Sequence, residues 1–410
     1  MPEFFQLLPP DQACTKFLAE IRASPQPETV PLAEALDRVT FAPVCAAAPL
    51  PPFTRSTMDG YAVRAQDTFG ASSSLPMYLT LAGEVLMGQV PDLELQPGQA
   101  ALIHTGGMLP RGADAVVQIE VTQKSRDDEV EVLKAVGRGE NVLQAGDDVK
   151  AGEEVLPAGH WLRPQDLGGL ASLGVTPVTV ARRPRVAVLA TGDEVIPPEA
   201  EPRMGQVRDA NSYSVGALVA QAGGVALLGG IIPDSFEALK AAAVSALKAA
   251  DMLVLMAGSS VSVRDITLDV VNELGRPGVL VHGVAIKPGK PTILAVADGK
   301  PVIGLPGNPV SAMVSGGLFV TPAIHRLLGF THPPRAATAR ATLSHNLESQ
   351  TGRDDFVPVR LVSRDGALYA EPVFGKSNQI FILVRGDGLV LVPRDANGLS
   401  AGAEVEVGLF

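Results

Sequence analysis

Lys287 and Lys290, three positions apart on a loop stiffened by proline and glycine (KPGKPT, 287–292), are the residues of this 410-residue chain best suited to chemistry. Closely after them comes PVIGLPGNPVSA (301–312). There a short apolar run through Val302 and Ile303 breaks into Gly304, Pro306, Gly307 and Pro309 before an Ala/Val/Leu-rich segment resumes at Val310. That order predicts strand, tight turn and helix, with Ser311 and unpaired backbone N–H groups at the helix start. A helix N-terminus carries partial positive charge, so two ammonium groups beside it would make a site for a small, multiply charged anion. For 287–290 taken alone, a surface loop with two solvated lysines is the plainer alternative.

Carboxylates gather at the ends of predicted strands. Strand 185–190 runs into TGDE (191–194), strand 252–256 into GSSVS (258–262) and then Arg264 and Asp265, and strand 302–304 into LPGNPVS (305–311). The strand after Gly224 ends at Pro233 and Asp234. Gly, Ser and Asp are ordinary turn and cap residues, so each loop alone has a structural reading. Ligands of open parallel α/β sheets, however, bind beyond the carboxyl ends of the strands, where these loops would meet beside the lysines. Glu194, Asp234 and Asp265, with Asp209 and Asp148 as further candidates, would repel an anion unless a hard cation stood between. Mg²⁺ takes a few carboxylate or water oxygens plus substrate phosphate, so a phosphorylated substrate with Mg²⁺ is the economical reading. The chain lacks GxGxxG and GxxxxGK[ST], a Ser–His–Asp order and a cysteine nucleophile.

The elements that must position these residues follow from periodicity. Residues 11–45 predict helices, one capped by Asp11 with Ala13, Phe17, Leu18 and Ile21 on one face, and another from Pro31 carrying Leu32, Ala35, Leu36 and Val39. Residues 54–145 alternate as β-strands, and 150–178 return to helix and a strand at 176–180. Between 184 and 328, unalternating apolar runs separated by helical stretches imply a parallel sheet covered by helices. From Pro333 onward alternation predicts a small β-barrel, with strands that include 380–384 and a turn at Asp365-Gly366. The expected organisation is therefore multidomain α/β and β: an N-terminal helical, dimerising region (1–48 and 146–180), an inserted β domain (49–145), a central α/β domain (181–330) and a C-terminal barrel (331–410).

Composition narrows the function. With 44 acidic against 33 basic residues the net charge is −11, a field that opposes general nucleic-acid binding and leaves anion capture to a local basic cluster. Two cysteines (Cys14, Cys45) without CxxC, and six scattered histidines, support neither a disulfide framework nor a zinc site. The N-terminus lacks the order of a signal peptide, and no run approaches the ~18 apolar residues of a membrane span, so a soluble cytoplasmic protein is expected.

Six segments together resemble one family: STMDGYA (56–62), HTGG (104–107), ATGDE (190–194), RDANS (208–212), AIKPGKP (285–291) and GLPGNPVS (304–311). They look like the signature set of molybdopterin molybdenumtransferases, the MoeA family, which includes the E domain of gephyrin. The resemblance covers essentially the whole chain in order. It implies a central domain of the molybdopterin-binding α/β type, an elongated homodimer with its cleft completed in trans, and possible exchange with other molybdenum cofactor biosynthesis proteins. The activity implied is transfer of molybdate into adenylylated molybdopterin with Mg²⁺-dependent release of AMP. Lys287, Lys290, Ser262 and Ser311 are then expected to hold molybdate, with Arg353 completing the pocket where the barrel folds over the crevice. Glu194, Asp234 and Asp265 are expected to hold Mg²⁺ and water. Asp209, Asn211 and Asp148 are expected on the substrate, and Asp59 and Thr105 are expected to enter from the β domain, with Gly60 in a turn that buries Met58 and Tyr61. Many relatives read GGVSVG where this chain has Ser259 to Arg264 (SSVSVR), and carry a basic residue where this chain has Gly283. A molybdopterin adenylyltransferase, a scaffold on the same fold, and tungsten in place of molybdenum are the alternatives.

Overall fold

The computed structural model describes residues 7–257, 261–334 and 336–410, and of residues 257 and 261–265 the backbone alone. The chain divides into two compact units, one of residues 1–42, 158–163 and 178–410, the other of residues 43–157 and 164–177.

A six-stranded sheet forms the heart of the first unit, in the order Val225–Ile232, Arg185–Thr191, Met252–Ala257, Lys300–Pro306, Ile293–Ala297, Pro277–His282. The first four strands are parallel, whereas the last two run antiparallel, so the sheet is mixed rather than wholly parallel. The cause is local. Asp298 and Gly299 both take positive φ (49° and 87°), the two-residue turn that folds Ile293–Ala297 straight back onto Lys300–Pro306. Alternate residues of each strand serve opposite faces. Val186, Val188 and Ala190 pack with Val215, Val219 and Phe319, while Ala187 and Leu189 pack with Leu239, Ala243 and Val270. Burial on both faces explains the unbroken apolar runs.

The helix Pro10–Glu20 adds Ala13 and Phe17 to the first of these cores. Asp11 lies in its first turn and pairs with Arg394 (3.0 Å), so it is not the cap; Pro9 occupies that position. The helix expected from Pro31 is absent. Pro27–Pro31 is instead a strand paired with Pro177–Ala181, and Leu32–Glu34 is a single 3₁₀ turn. Prolines at 25, 27 and 31 fix φ and turn the residues before them away from the helical region, which holds this segment extended.

Five strands (Thr338–Leu343, Asp354–Arg364, Ala367–Pro372, Gly388–Val392, Glu404–Leu409) close into the C-terminal barrel, because Asp354–Arg364 pairs with both Ala367–Pro372 and Gly388–Val392. The hairpin at Asp365 and Gly366 has the expected positive φ values. Residues 381–384, expected as strand, form one helical turn, Phe381–Val384. Adjacent Ile382 and Leu383 both face inward, against Val310 and Val314, a burial that an alternating strand cannot provide.

The second unit holds a six-stranded sheet in the order Ala115–Gln118, Gly60–Val63, Gln99–Ile103, Met77–Glu84, Glu129–Val132, Thr122–Arg126, with the helix Pro164–Ser172. Short ladders pair Val142–Leu143 with Arg55–Ser56 and Glu154–Leu156 with Val44–Cys45. The N-terminal part of the chain is therefore more β than the helical region expected from the sequence. No described helix in either unit is long and apolar enough to cross a membrane.

Candidate active site

The lysine loop connects the two antiparallel strands of the central sheet and is built from both sides. The two-residue strand Ile286–Lys287 pairs in parallel with the barrel strand Asp354–Arg364, placing Lys287 opposite Asp355. Gly289 takes φ +117°, and a Cβ there would lie 2.5 Å from Ser315 Oγ, so only glycine fits. Buried Thr292 fastens the turn by donating to the Gly289 carbonyl (2.7 Å) and meeting Ser315 Oγ at 2.8 Å. The result is two projecting ammonium groups on a fixed backbone.

Lys287, Lys290, Ser311 and Arg353 line one cavity of about 650 Å³ between the central sheet's loops and the barrel. The lysines differ. Lys287 Nζ lies 2.9 Å from Asp355 Oδ2, whose side chain is 3% exposed, and that same oxygen accepts from Ser349 Oγ at 3.1 Å. Lys290 has no carboxylate partner among the described residues. Arg353 Nε is buried without a hydrogen-bond acceptor. The helix start is less open than expected. Val310 N–H donates to the Ser377 carbonyl (3.1 Å) and Asn308 Nδ2 to Ser377 Oγ (3.1 Å), so the barrel segment already takes up one of those donors.

A second group of residues lies at the other parallel strand ends. Asp234 N–H donates to Asp193 Oδ1 (3.3 Å), while Asp234 Oδ1 is buried and unpartnered. Burial raises the Asp234 pKa above the usual carboxylate range, a hydrogen bond from the Asp193 backbone opposes it, and the charges of Asp193 and Glu194 push it up as well. Glu194 itself is exposed beside Gly192. Asp193, which the sequence reading passed over although it sits in the same TGDE run, is thus part of the acidic group. Asp209 is buried and accepts from Ser212 N–H (3.0 Å) at the start of Asn211–Gln221, which is the geometry of a helix cap. Asn211 donates to the Gly307 carbonyl (2.7 Å), tying this loop to the 307–311 turn, and its own Oδ1 is buried without a partner. Thr191 Oγ1 bonds the Met256 carbonyl (3.0 Å) across the two strands where the order of the sheet reverses. Ser262 and Asp265 have side chains outside the described residues, and Ser259 is outside them altogether. Among the described residues no three carboxylates or histidines converge as a complete metal cage.

The second unit carries its own cluster. Thr105 donates to Asp59 Oδ1 through its backbone N–H (2.8 Å) and hydroxyl (3.3 Å). His104 Nδ1 lies 3.6 Å from the same oxygen and its Nε2 3.4 Å from Glu84 Oε1. The Thr105 N–H, followed by the Thr105 hydroxyl and His104, holds the Asp59 carboxyl below its ordinary pKa. Gly60 is obligatory, since a Cβ would lie 1.9 Å from the Val117 carbonyl oxygen. Tyr61 is buried as expected, but Met58 is 40% exposed. Its backbone is instead held by Ser56 Oγ. Asp148 is exposed in the same unit, on a loop whose backbone bonds the Leu50 carbonyl.

Three family descriptions match the chain in sequence: "MoeA N-terminal region (domain I and II)" over residues 8–174, "Probable molybdopterin binding domain" over 187–326, and "MoeA C-terminal region (domain IV)" over 340–410. The chain is 33% identical to molybdopterin molybdenumtransferase 2 of Mycobacterium tuberculosis, covering 96% of this chain and 97% of that one. It is 32% identical to the molybdopterin molybdenumtransferase of Bacillus subtilis, with 98% and 93% covered. A crystal structure of a molybdopterin biosynthesis moeA protein from Pyrococcus horikoshii superposes with a TM-score of 0.83 at 32% identity, over 99% of this chain and 100% of that one. Matches on both sides of 187–326 set the chain apart from a lone central domain.

Proposed function

The chain belongs to the MoeA family of molybdopterin molybdenumtransferases, and we propose that its crevice joins molybdate to adenylylated molybdopterin with Mg²⁺-dependent release of AMP. It is a molybdopterin-binding enzyme of molybdenum cofactor biosynthesis with molybdate as substrate. The observation that carries the detailed reading is the convergence of Lys287, Lys290, Arg353 and Ser311 on one cavity. A compact dianion there would receive charge-assisted hydrogen bonds from three cations and a hydroxyl.

The acidic residues lie at the strand ends on the other side of the reversal point, as a ligand with phosphate at one end and an oxyanion partner at the other requires. The orphaned Asp234 Oδ1, crowded by Asp193 and Glu194, suits a divalent cation, which would relieve both the burial and the repulsion. Glu194 and Asp234, with Asp265, would hold Mg²⁺, which when bound would neutralise the phosphoanhydride oxygens and polarise the phosphorus. Glu194 would orient the water whose oxygen bonds to that phosphorus and take its proton as the anhydride P–O bond breaks and AMP leaves. Asn211 offers its free carbonyl oxygen to a substrate N–H or O–H, and Asp209 holds the loop that carries it. Ser262 joins the oxyanion pocket.

Asp59, fixed by Thr105 yet exposed, is oriented for a group outside its own fold. We assign it, with Thr105 and Asp148, to the cleft of a second protomer in a cytoplasmic homodimer. The decisive experiment supplies adenylylated molybdopterin, Mg²⁺ and molybdate and follows AMP and active cofactor. Glu194→Gln should keep pterin binding and lose AMP release by about 100-fold or more, the scale of a lost general base. Unchanged release would remove Glu194 from the chemistry.

A further inference from the structure

Asp355 is an anomaly in an oxyanion cavity. It is a carboxylate, its side chain is only 3% exposed, and it lines the same cavity as Lys287, Lys290 and Arg353. A negative group in that position opposes the ligand unless it has a task. Its two partners indicate the task, because one oxygen, Oδ2, is shared between Lys287 Nζ at 2.9 Å and Ser349 Oγ at 3.1 Å. The pairing is built into the backbone. Lys287 and Asp355 are register partners in a parallel ladder, and the Asp354 N–H donates to the Ala285 carbonyl (2.9 Å) one step earlier. Neighbouring side chains in such a ladder project to the same side of the sheet. The lysine loop is thereby a strand of the barrel's sheet as well as a turn of the central domain.

We propose that Asp355 is a positioning residue for Lys287: it holds the ammonium group against the barrel wall until an oxyanion takes its place, and so limits how tightly the cavity retains molybdate. This rests on the reading of the cavity as the molybdate site. The two lysines then have different work. Lys290 presents an uncommitted charge, while Lys287 must exchange one anionic partner for another or be shared between them. Removing the carboxylate removes both the competitor for Lys287 and a charge that repels the ligand. Anion binding then tightens while the lysine loses its fixed position. Ser349 acts in the opposite sense, since its hydroxyl draws charge from the oxygen that Lys287 uses.

The test is titration of sodium molybdate into the full-length protein at constant ionic strength, by calorimetry, alongside the molybdate dependence of cofactor formation. Asp355→Asn, which keeps size and an acceptor oxygen, should bind molybdate about two- to fivefold more tightly, the scale of a partly exposed ion pair. Its turnover at saturating molybdate should fall, so that KM and kcat drop together. Ser349→Ala should bind molybdate about twofold more weakly, and it decides the matter alone where the Asn variant does not fold. A purely structural role lowers the melting temperature and leaves molybdate affinity equal or weaker in the Asn variant and unmoved in the Ala variant, which overturns the proposal. If the wild-type protein itself binds no molybdate, the site reading fails first and takes this one with it.

Discussion

Lys290→Ala and Lys287→Ala remove the same chemical group three residues apart, yet the structure predicts different damage. Lys290 has no carboxylate partner among the described residues and its side chain is exposed. Its loss removes one charge-assisted hydrogen bond to the oxyanion, worth ~1.5–3 kcal/mol. At ~1.4 kcal/mol per decade, that raises the molybdate requirement about 10- to 100-fold. Nothing is stranded, so the melting temperature should hold within about 1 °C. Lys287→Ala leaves Asp355, 3% exposed, with Ser349 as its one remaining side-chain partner. Stranding a fully buried partner costs ~3–5 kcal/mol. Lys287 itself is 51% exposed, so water reaches the pair and the expected cost is lower, about 1–2 kcal/mol. That corresponds to roughly 1–3 °C for a chain this long. Molybdate-dependent cofactor formation and thermal melting, run on the same preparations, separate the two effects. Equal melting temperatures for the two variants would refute the pairing argument. If excess molybdate rescued neither, and AMP release were lost as well, the lysines would serve the phosphates instead.

The other expectations are shorter. Gly60→Ala places a Cβ 1.9 Å from the Val117 carbonyl and should destabilise the second unit by roughly 2–3 kcal/mol, visible as a separate early melting transition. Asp234 has a raised pKa, so its ionised form opposes folding above that pKa and the opposition disappears once low pH protonates it. Asp234→Asn should therefore raise the melting temperature at neutral pH without divalent cations, by about 1–2 °C, and shrink the stabilisation that Mg²⁺ gives the wild type. An Asn variant that melts lower at neutral pH and keeps the full Mg²⁺ response would contradict both statements. At limiting molybdate, where neither variant alone is active, mixing Asp59→Ala and Lys287→Ala chains should restore activity, because half of the clefts in a mixed dimer would be intact. Mixed dimers that form and stay inactive would remove Asp59 from a shared site.

Much of this molecule was legible because local chemistry leaves a strong trace in sequence. The unalternating runs at 185–190, 252–256 and 302–304 report burial on both faces, and each became a strand of the central sheet. The signals that misled were those where one residue type has two uses. Proline at 31 can open a helix, and with Pro25 and Pro27 nearby it instead marks an extended edge segment. The apolar residues 380–384 suit a strand by composition, but Ile382 and Leu383 are claimed by a helix far away in sequence. The Asp298-Gly299 turn that makes the central sheet mixed is a two-residue hairpin signal, but the sequence reading names only the run after it, 302–304, as a strand and leaves its partner 293–297 out of the sheet.

The candidate site divides along the same line. Lys287, Lys290 and Ser311 stand out because proline and glycine punctuate them, and Asp59 and Thr105 because their motifs are short and distinctive. The interactions that tune those residues are long-range and leave no comparable trace. Asp355 lies 68 positions from Lys287, in an alternating strand where an acidic residue reads as an ordinary outward-facing one. Ser377, which takes up the Val310 N–H, comes from a barrel segment to which the sequence reading assigns no part in the site. A helix start or a lysine can be recognised locally. Whether its hydrogen-bonding capacity is still free depends on what the rest of the chain folds against it, and here the barrel has partly occupied both. Anion binding at this cavity is therefore an exchange of partners rather than the filling of an open site.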